Sequence, residues 1–426
     1  MTRADTDRVV EGVWRIESAR IIGALARMLR DVGLAEELAQ DALLNALERW
    51  PQSGIPDNPA AWLMTVAKNR ALDHLRHAKL ERAREPELTY EIETQLQDAA
   101  PDLEAELDDD IGDDLLRLIF VSCHPVLSPE ARAALTLRLL GGLTTDEIAR
   151  AFFVSEATVA QRIVRAKRTL SEAKVPFEVP HAAQLVSRLA SVLQVIYLIF
   201  NEGYSASAGG DWMRPTLCEE ALRLGRILAE LLQAEAEVHG LVALMEIQSS
   251  RARARVGPKG EPVLLLDQDR TRWDQLLIRR GVAALERAGQ LGQAYGPYAL
   301  QAAIAACHAR ALTPEQTDWQ RIAALYDALA QLSPSPVVEL NRAVVLSMAF
   351  GPAAGLELVD ALVAEGSLKN YHLLPSVRGD LLAKLGRPGE ARVEFERAAA
   401  LTNNLREREL LLARAKACPR QHEIKG

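Results

Sequence analysis

An all-α protein is what this sequence predicts, and three observations predict it. Apolar residues recur at three- and four-residue spacings through nearly every segment. Strand-like alternation is scarce, and aromatic residues make up only 5% of the chain. With 426 residues, 49% hydrophobic and 25% charged, the chain is long enough for two or three domains with sizeable cores. Four widely separated cysteines, Cys123, Cys218, Cys307 and Cys418, exclude a disulfide scaffold and fit a reducing cytoplasm. The opening MTRADTDRVVEGVW has no apolar stretch after its charges, so no secretory leader is read there. The longest apolar run, residues 189–200, is too short to cross a bilayer, and no membrane association is expected.

Three helices are predicted over residues 12–80. The first covers about residues 12–30 and the second about 34–50. The third opens at Asn58-Pro59, where Asn caps and Pro fills the first turn. Between the second and third, Pro51-Gln52-Ser53-Gly54-Ile55-Pro56 reads as a non-helical loop. An acidic stretch follows: from Glu85 to Asp114 there are thirteen Asp or Glu residues and no Lys or Arg, so the rest of the chain is net positive although the whole carries −8. It reads as a tether able to mimic nucleic acid in a basic channel. A second helical module spans about residues 113–173 and ends at Val175-Pro176-Phe177-Glu178-Val179-Pro180. Beyond it lies a long helical region punctuated by Gly209-Gly210, Gly257-Pro258, Gly296-Pro297 and Gly351-Pro352. Within that region Gly379, Leu385-Gly386, Ala391, Phe395 and Ala398 match the spacing of a tetratricopeptide helix pair. Asp327-Ala328-Leu329 and Asp360-Ala361-Leu362 stand 33 residues apart, so tetratricopeptide-like stacking is predicted over 310–415.

The strongest local signal runs from Gly141 to Leu170. Thr144 and Glu147 form a capping box, small Ala149 permits a close helix crossing, and Ser155 caps the next helix. Along that helix Val159, Ile163, Ala166 and Leu170 form an inward stripe, while Thr158, Gln161, Arg162, Arg165 and Arg168 lie on the other side. This is the pattern of a helix-turn-helix recognition helix, in which Arg and Gln read base edges and other basic groups contact phosphates. In the first module, the segment 35–47 carries more apolar positions than one core face needs, with Asp41 and Asn45 one turn apart beside that surface. This suits a protein partner. The third helix carries Trp62, Lys68, Asn69, Arg70, Asp73 and Arg76, an aromatic and amide/basic mixture suited to single-stranded nucleic acid, with Trp62 read as core.

On these stretches (Glu36 to Leu47, Ala61 to Asp73, and Leu127-Ser128-Pro129-Glu130 through Leu170), residues ~10–175 resemble a group IV (extracytoplasmic function, ECF) sigma factor of bacterial RNA polymerase. The resemblance implies region 2 over 10–82, an acidic linker over 83–112 and region 4 over 113–175. It implies that Leu38, Asp41, Leu44 and Asn45 dock on core polymerase, chiefly the β′ subunit with β as a further partner. By the same resemblance Asn58, Trp62, Lys68, Asn69, Arg70, Asp73 and Arg76 melt and read the −10 element of promoter DNA. Ser155, Thr158, Gln161, Arg162, Arg165 and Arg168 then read the −35 element. Ala160 stands where many relatives carry a basic residue. Residues 181–426 resemble the tetratricopeptide-type extension of one ECF subgroup, which implies a regulatory role and a regulatory protein partner.

Other chemistry is weak. The adjacent pair Cys123-His124 reads as a buried thiol beside a capping histidine, so no metal is expected. Asn201-Glu202-Gly203-Tyr204-Ser205 with Asp211-Trp212 forms a polar-aromatic island, read as a packed loop with a small-molecule pocket as the alternative. No P-loop, dinucleotide fingerprint or nucleophile elbow is present, so neither cofactor nor enzymatic activity is expected. An autonomous helix-turn-helix regulator and a tetratricopeptide scaffold are the competing readings of the whole.

Overall fold

The computed structural model describes residues 3–82, 111–152, 154–206, 208–209, 212–258, 260–292 and 294–418. Of the acidic stretch expected as a tether over 83–112, residues 83–110 lie outside the described residues, as does Asp211, and residues 111–112 are already helical. Helices dominate, as the periodicity predicts. Two compact units divide the chain, residues 1–198 and 199–426.

The first unit opens with three helices: α1 (Arg3–Leu29), α2 (Val32–Ser53) and α3 (Pro59–Arg82). α1 begins more than a turn earlier than the sequence predicts. Asp31 starts α2 by accepting from the Gly33 and Leu34 amides at 2.7 and 3.0 Å, a cap of about 1 kcal/mol. On α2 the buried Ala35, Ala39, Ala42, Ala46 and Trp50 recur every three or four residues. Small side chains there let α1 and α3 approach closely, and Trp50 fills the far end. α3 answers with buried Leu63, Ala67 and Ala71. Asn58 caps α3 as predicted, its Oδ1 accepting from the Ala61 amide at 3.1 Å.

The expectation that Pro51 to Pro56 is entirely loop needs correction: Pro51, Gln52 and Ser53 are the last turn of α2. Proline lacks only its own amide, and at an exposed helix end the carbonyl left without a partner is reached by water. Gly54, at φ +85°, then ends the helix and returns its amide to the Trp50 carbonyl at 3.0 Å.

Four helices follow within the same unit: α4 (Ile111–Ser122), α5 (Pro129–Leu139), α6 (Thr145–Phe152) and α7 (Glu156–Glu172). The capping box forms as read: the Thr144 amide donates to Glu147 Oε2 at 2.8 Å, and the Glu147 amide to Thr144 Oγ1 at 3.1 Å. The two helical groups pack directly on each other. The Asp114 carbonyl of α4 lies where a Cβ on Gly23 of α1 would come within 3.2 Å, and Arg15 Nη2 of α1 donates to Glu147 Oε1 of α6 at 2.8 Å.

α8 (Ala182–Tyr204) is longer than the apolar run 189–200 suggested. Uncharged Ser191 and Gln194 do not interrupt it, and Gln184–Tyr204 is long and apolar enough to cross a membrane by length and composition. Its polar groups nevertheless bond protein: Arg188 Nη2 donates to the Phe120 carbonyl at 2.8 Å and Ser191 Oγ to the Cys123 carbonyl at 2.7 Å. Val192, Leu193, Val195, Ile196, Ile199 and Phe200 are buried, the pattern of a core helix.

In the second unit the helices are α9 (Pro215–Leu231), α10 (Ala236–Ser249), α11 (Gln275–Leu291), α12 (Pro297–Arg310), α13 (Trp319–Leu332), α14 (Pro336–Phe350), α15 (Pro352–Glu365), α16 (Leu373–Lys384), α17 (Pro388–Leu401) and α18 (Leu405–Ala417). From α13 onward each helix packs on the next. Glycines set the spacing of two of these pairs. A Cβ on Gly355 would meet the Ala343 carbonyl at 2.6 Å, and one on Gly379 would meet Phe395 Cε1 at 3.0 Å. The two aspartates each tie one helix to the next: Asp327 accepts from Arg342 Nε at 2.6 Å, and Asp360 from Arg378 Nε at 2.8 Å. A two-residue parallel pair, Ala208–Gly209 with Asn403–Asn404, ties the loop after α8 to the start of α18. Asn404 Nδ2 reinforces it with a bond to the Ala206 carbonyl at 3.0 Å.

Candidate nucleic-acid interface

Helix α7 separates its two faces as the sequence predicts. Val159, Ile163, Ala166 and Leu170 are buried, whereas Ser155, Gln161, Arg165 and Arg168 are exposed and Thr158 and Arg162 half-buried. Ser155 Oγ accepts from the Thr158 amide at 3.2 Å and bonds Thr158 Oγ1 at 2.8 Å, so both hydroxyls serve the helix start. Arg168 leans on Glu172, with Nε to Oε1 at 2.6 Å. The outward face therefore presents an amide and guanidinium groups on a rigid helix, the side chains able to donate to purine edges and phosphates.

On α2 the residues assigned to a protein partner also face outward. Leu44 is 57% exposed, and Leu38, Asp41 and Asn45 are half-buried. The exposed leucine stands beside a carboxylate, on a helix whose opposite face buries alanines, Trp50 and Glu36. On α3, Asn58, Asn69 and Asp73 are exposed, and Lys68, Arg70 and Arg76 half-buried. Trp62 is half-buried and packs edge-on against buried Trp50, with ring centroids 5.4 Å apart. Arg76 Nη1 donates to Asp73 Oδ1 at 3.0 Å. The structure also joins two sets that the sequence kept apart, since Arg70 Nη1 donates to Asp41 Oδ2 at 2.6 Å.

Sequence reasoning missed one charged group altogether. Glu36 is buried at the inward side of α2, where Arg138 of α5, Lys167 of α7 and Gln40 converge on its carboxylate. The only hint in the sequence is a carboxylate standing in an otherwise alanine-lined stripe.

The family Sigma-70 region 2 matches residues 15–81, and Sigma-70, region 4 matches residues 117–170. The ECF RNA polymerase sigma factor SigK of Mycobacterium ulcerans is 33% identical over 155 residues, which are 35% of this chain and 78% of that protein. The chain belongs to the ECF sigma factors. A Mycobacterium tuberculosis protein described as "Probable ECF RNA polymerase sigma factor SigI" is 27% identical over 179 residues, 42% of this chain and 59% of that protein. An uncharacterized protein of Rhizobium meliloti is 47% identical over 387 residues, covering 91% of this chain and 90% of its own length. Residues 188–289 match a family of unknown function, DUF6596. No solved structure matches the chain.

Along this sigma factor the region 2 match covers most of α1 with α2 and α3, and the region 4 match runs from α4 into the last turn of α7. The Cys123-His124 pair directly follows α4. Cys123 Sγ lies 3.4 Å from Thr136 Oγ1, and burial pushes its thiol pKa up. His124 Nδ1 accepts from the Val126 amide at 3.1 Å; burial, and then the nearby Arg188 guanidinium, push its pKa down to about 4. In the polar-aromatic island of the second unit, Arg255 stacks over Tyr204 with 3.5 Å to the ring centroid, and Arg251 Nη2 donates to Tyr204 Oη at 2.7 Å.

Proposed function

We propose that this sigma factor binds core RNA polymerase and directs initiation at specific promoters, with the extension beyond region 4 regulating that activity. The observation that carries the reading is the split of α7: an apolar stripe buried in the unit and an amide/guanidinium face turned outward. In this reading Leu38, Asp41, Leu44 and Asn45 seat α2 on the β′ subunit, with β as a further contact. The segment 51–58 and the α3 residues Trp62, Lys68, Asn69, Arg70, Asp73 and Arg76 open and read the −10 element. Ser155, Thr158, Gln161, Arg162, Arg165 and Arg168 place α7 in the major groove at the −35 element. The work is then cytoplasmic.

For the second unit we propose tetratricopeptide-like stacking over 310–415. The serial packing of α13 to α18, the Gly379–Phe395 approach and the repeated Asp–Arg ties support it. Stacked helix pairs expose a long face suited to a regulatory protein.

Run-off transcription tests the proposal. Core polymerase with the full-length chain is expected to start at discrete promoters in a genomic template library, and core alone is not. Binding of duplex DNA without any association with core would favour an autonomous regulator and overturn the assignment.

A further inference from the structure

A cavity of about 680 Å³ opens in the first unit where the end of α1, the start of α2, α4 and the end of α7 with the segment after it converge. That volume lies in the ~300–1,000 Å³ range of small-ligand sites. We propose that it binds a nucleotide carrying two or more phosphates.

Charge is the first argument. Five cationic side chains and two carboxylates line the cavity. Asp31 is one of the carboxylates, and it is already engaged in capping α2. The other, Glu178, is exposed. Lys167 is held by Glu36, and Arg117 by Asp114 at 2.7 Å. Arg30 and Lys174, by contrast, are exposed, and among the described residues no carboxylate lies within ion-pair distance of either. Two cations without partners on one polar cleft are what a polyphosphate chain requires.

Backbone geometry is the second. Arg30 and Lys174 are the only non-glycine residues with positive φ among those described, at +54° and +48°. Arg30 follows directly on the end of α1 and Lys174 follows the C-cap of α7, positions where glycine or asparagine is the usual choice. The sequence instead places a cation at both, and both side chains line one cavity. Such unfavourable backbone positions gather where function needs the side chain.

The third argument is the wall. Phe177 is half-buried and lines the cavity beside Pro176 and Val32. An aromatic face with aliphatic neighbours suits a nucleobase, which stacks with little regard to its identity. The site is also distinct from the promoter-reading face of α7, because Gln161, Arg165 and Arg168 do not line it.

The test is calorimetric titration of the full-length protein at fixed ionic strength with ATP, GTP, AMP, adenosine and sodium tripolyphosphate. ATP and GTP are expected to bind saturably, AMP about tenfold or more weaker, and adenosine not at all. Arg30→Gln and Lys174→Gln should each weaken ATP binding about fivefold or more. Phe177→Ala should weaken ATP while leaving tripolyphosphate unchanged, and all three variants should keep the parent circular-dichroism spectrum. No saturable binding of ATP or GTP up to about 1 mM overturns the proposal. So does binding indifferent to all three variants, or tripolyphosphate binding as tightly as ATP with no effect of Phe177→Ala. Because the readout is binding alone, its failure leaves the transcriptional reading untouched.

Discussion

Arg138 Nε donates to Glu36 Oε1 at 2.6 Å across 102 positions of sequence. The same carboxylate is ion-paired with Lys167 and accepts from Gln40 Nε2 at 2.7 Å. Glu36 sits on the inward side of α2, so a region 2 carboxylate is buried against two region 4 cations. The outward faces of α2 and α7 are those proposed for polymerase and promoter; this cluster joins their backs. A carboxylate can be buried there only because three donors replace its water.

Replacing Glu36 with alanine should therefore strand two cations. Loss of one member of a buried pair costs about 3–5 kcal/mol. Arg138 and Lys167 side chains keep 20% and 24% exposure, so the lower end is expected, about 3 kcal/mol. Glu36→Gln should cost less, because its carbonyl can still accept from Arg138. Urea unfolding followed by circular dichroism measures both. A Glu36→Ala midpoint equal to the parent's would show that the cluster does not hold the two groups together.

The Asp41–Arg70 pair gives the opposite expectation. Its side chains are 38% and 39% exposed, and such pairs contribute about 0–1 kcal/mol. Asp41→Ala should then leave stability within about 1 kcal/mol of the parent while weakening association with core polymerase. A double-mutant cycle with Arg70→Ala, read by polymerase binding, reports whether the pair orients Asp41. Unchanged polymerase affinity in both variants would remove α2 from the docking surface.

Two arginines on α7 should behave differently toward DNA. Arg165 is exposed, and among the described residues no ion pair engages it. Arg165→Ala is expected to cost about 1–3 kcal/mol on the cognate −35 sequence and to relax specificity at one position. Arg168 is tied back to Glu172, so Arg168→Ala should weaken all sequences alike and reduce the salt slope by about 1. Binding titrations of polymerase holoenzyme on cognate and scrambled −35 duplexes at two salt concentrations distinguish the cases.

What the sequence makes legible here is what neighbours within four or five positions decide. The Asn58 cap, the Thr144–Glu147 box, the Ser155 cap and the Val159 to Leu170 stripe are local bargains between side chain and backbone, and all stand as read. Pro51 was misjudged because its cost depends on where a helix ends, and the buried Trp50 before it lets α2 run to Ser53. Glu36 and the Asp41–Arg70 pair were invisible for another reason. Their partners come from other helices, and residue type alone does not say which cation a fold delivers. The extent of α8 was underread because apolarity was counted without polar residues such as Ser191, whose bond to the Cys123 carbonyl only tertiary packing reveals.

His308 is expected to make the second unit acid-sensitive. The ring is 8% exposed, stands edge-on to Trp319 at 5.2 Å, and its Nδ1 has no hydrogen-bond partner among the described residues. Burial first, and then the Arg251 and Arg270 guanidinium groups, push its pKa from 6.5 down to about 3. The folded state thus holds the neutral ring, and the unfolded chain binds the proton more readily. Stability from this site is complete above pH 6.5 and is lost as pH falls toward 3, with a limiting slope of about 1.4 kcal/mol per pH unit for one proton. His308→Gln should be somewhat less stable at pH 7, through the lost Trp319 contact, yet fall less steeply between pH 6.5 and 4. Thermal unfolding at pH 7.0, 5.5 and 4.5 compares the slopes, and parallel curves for parent and variant would mean that another group governs acid unfolding.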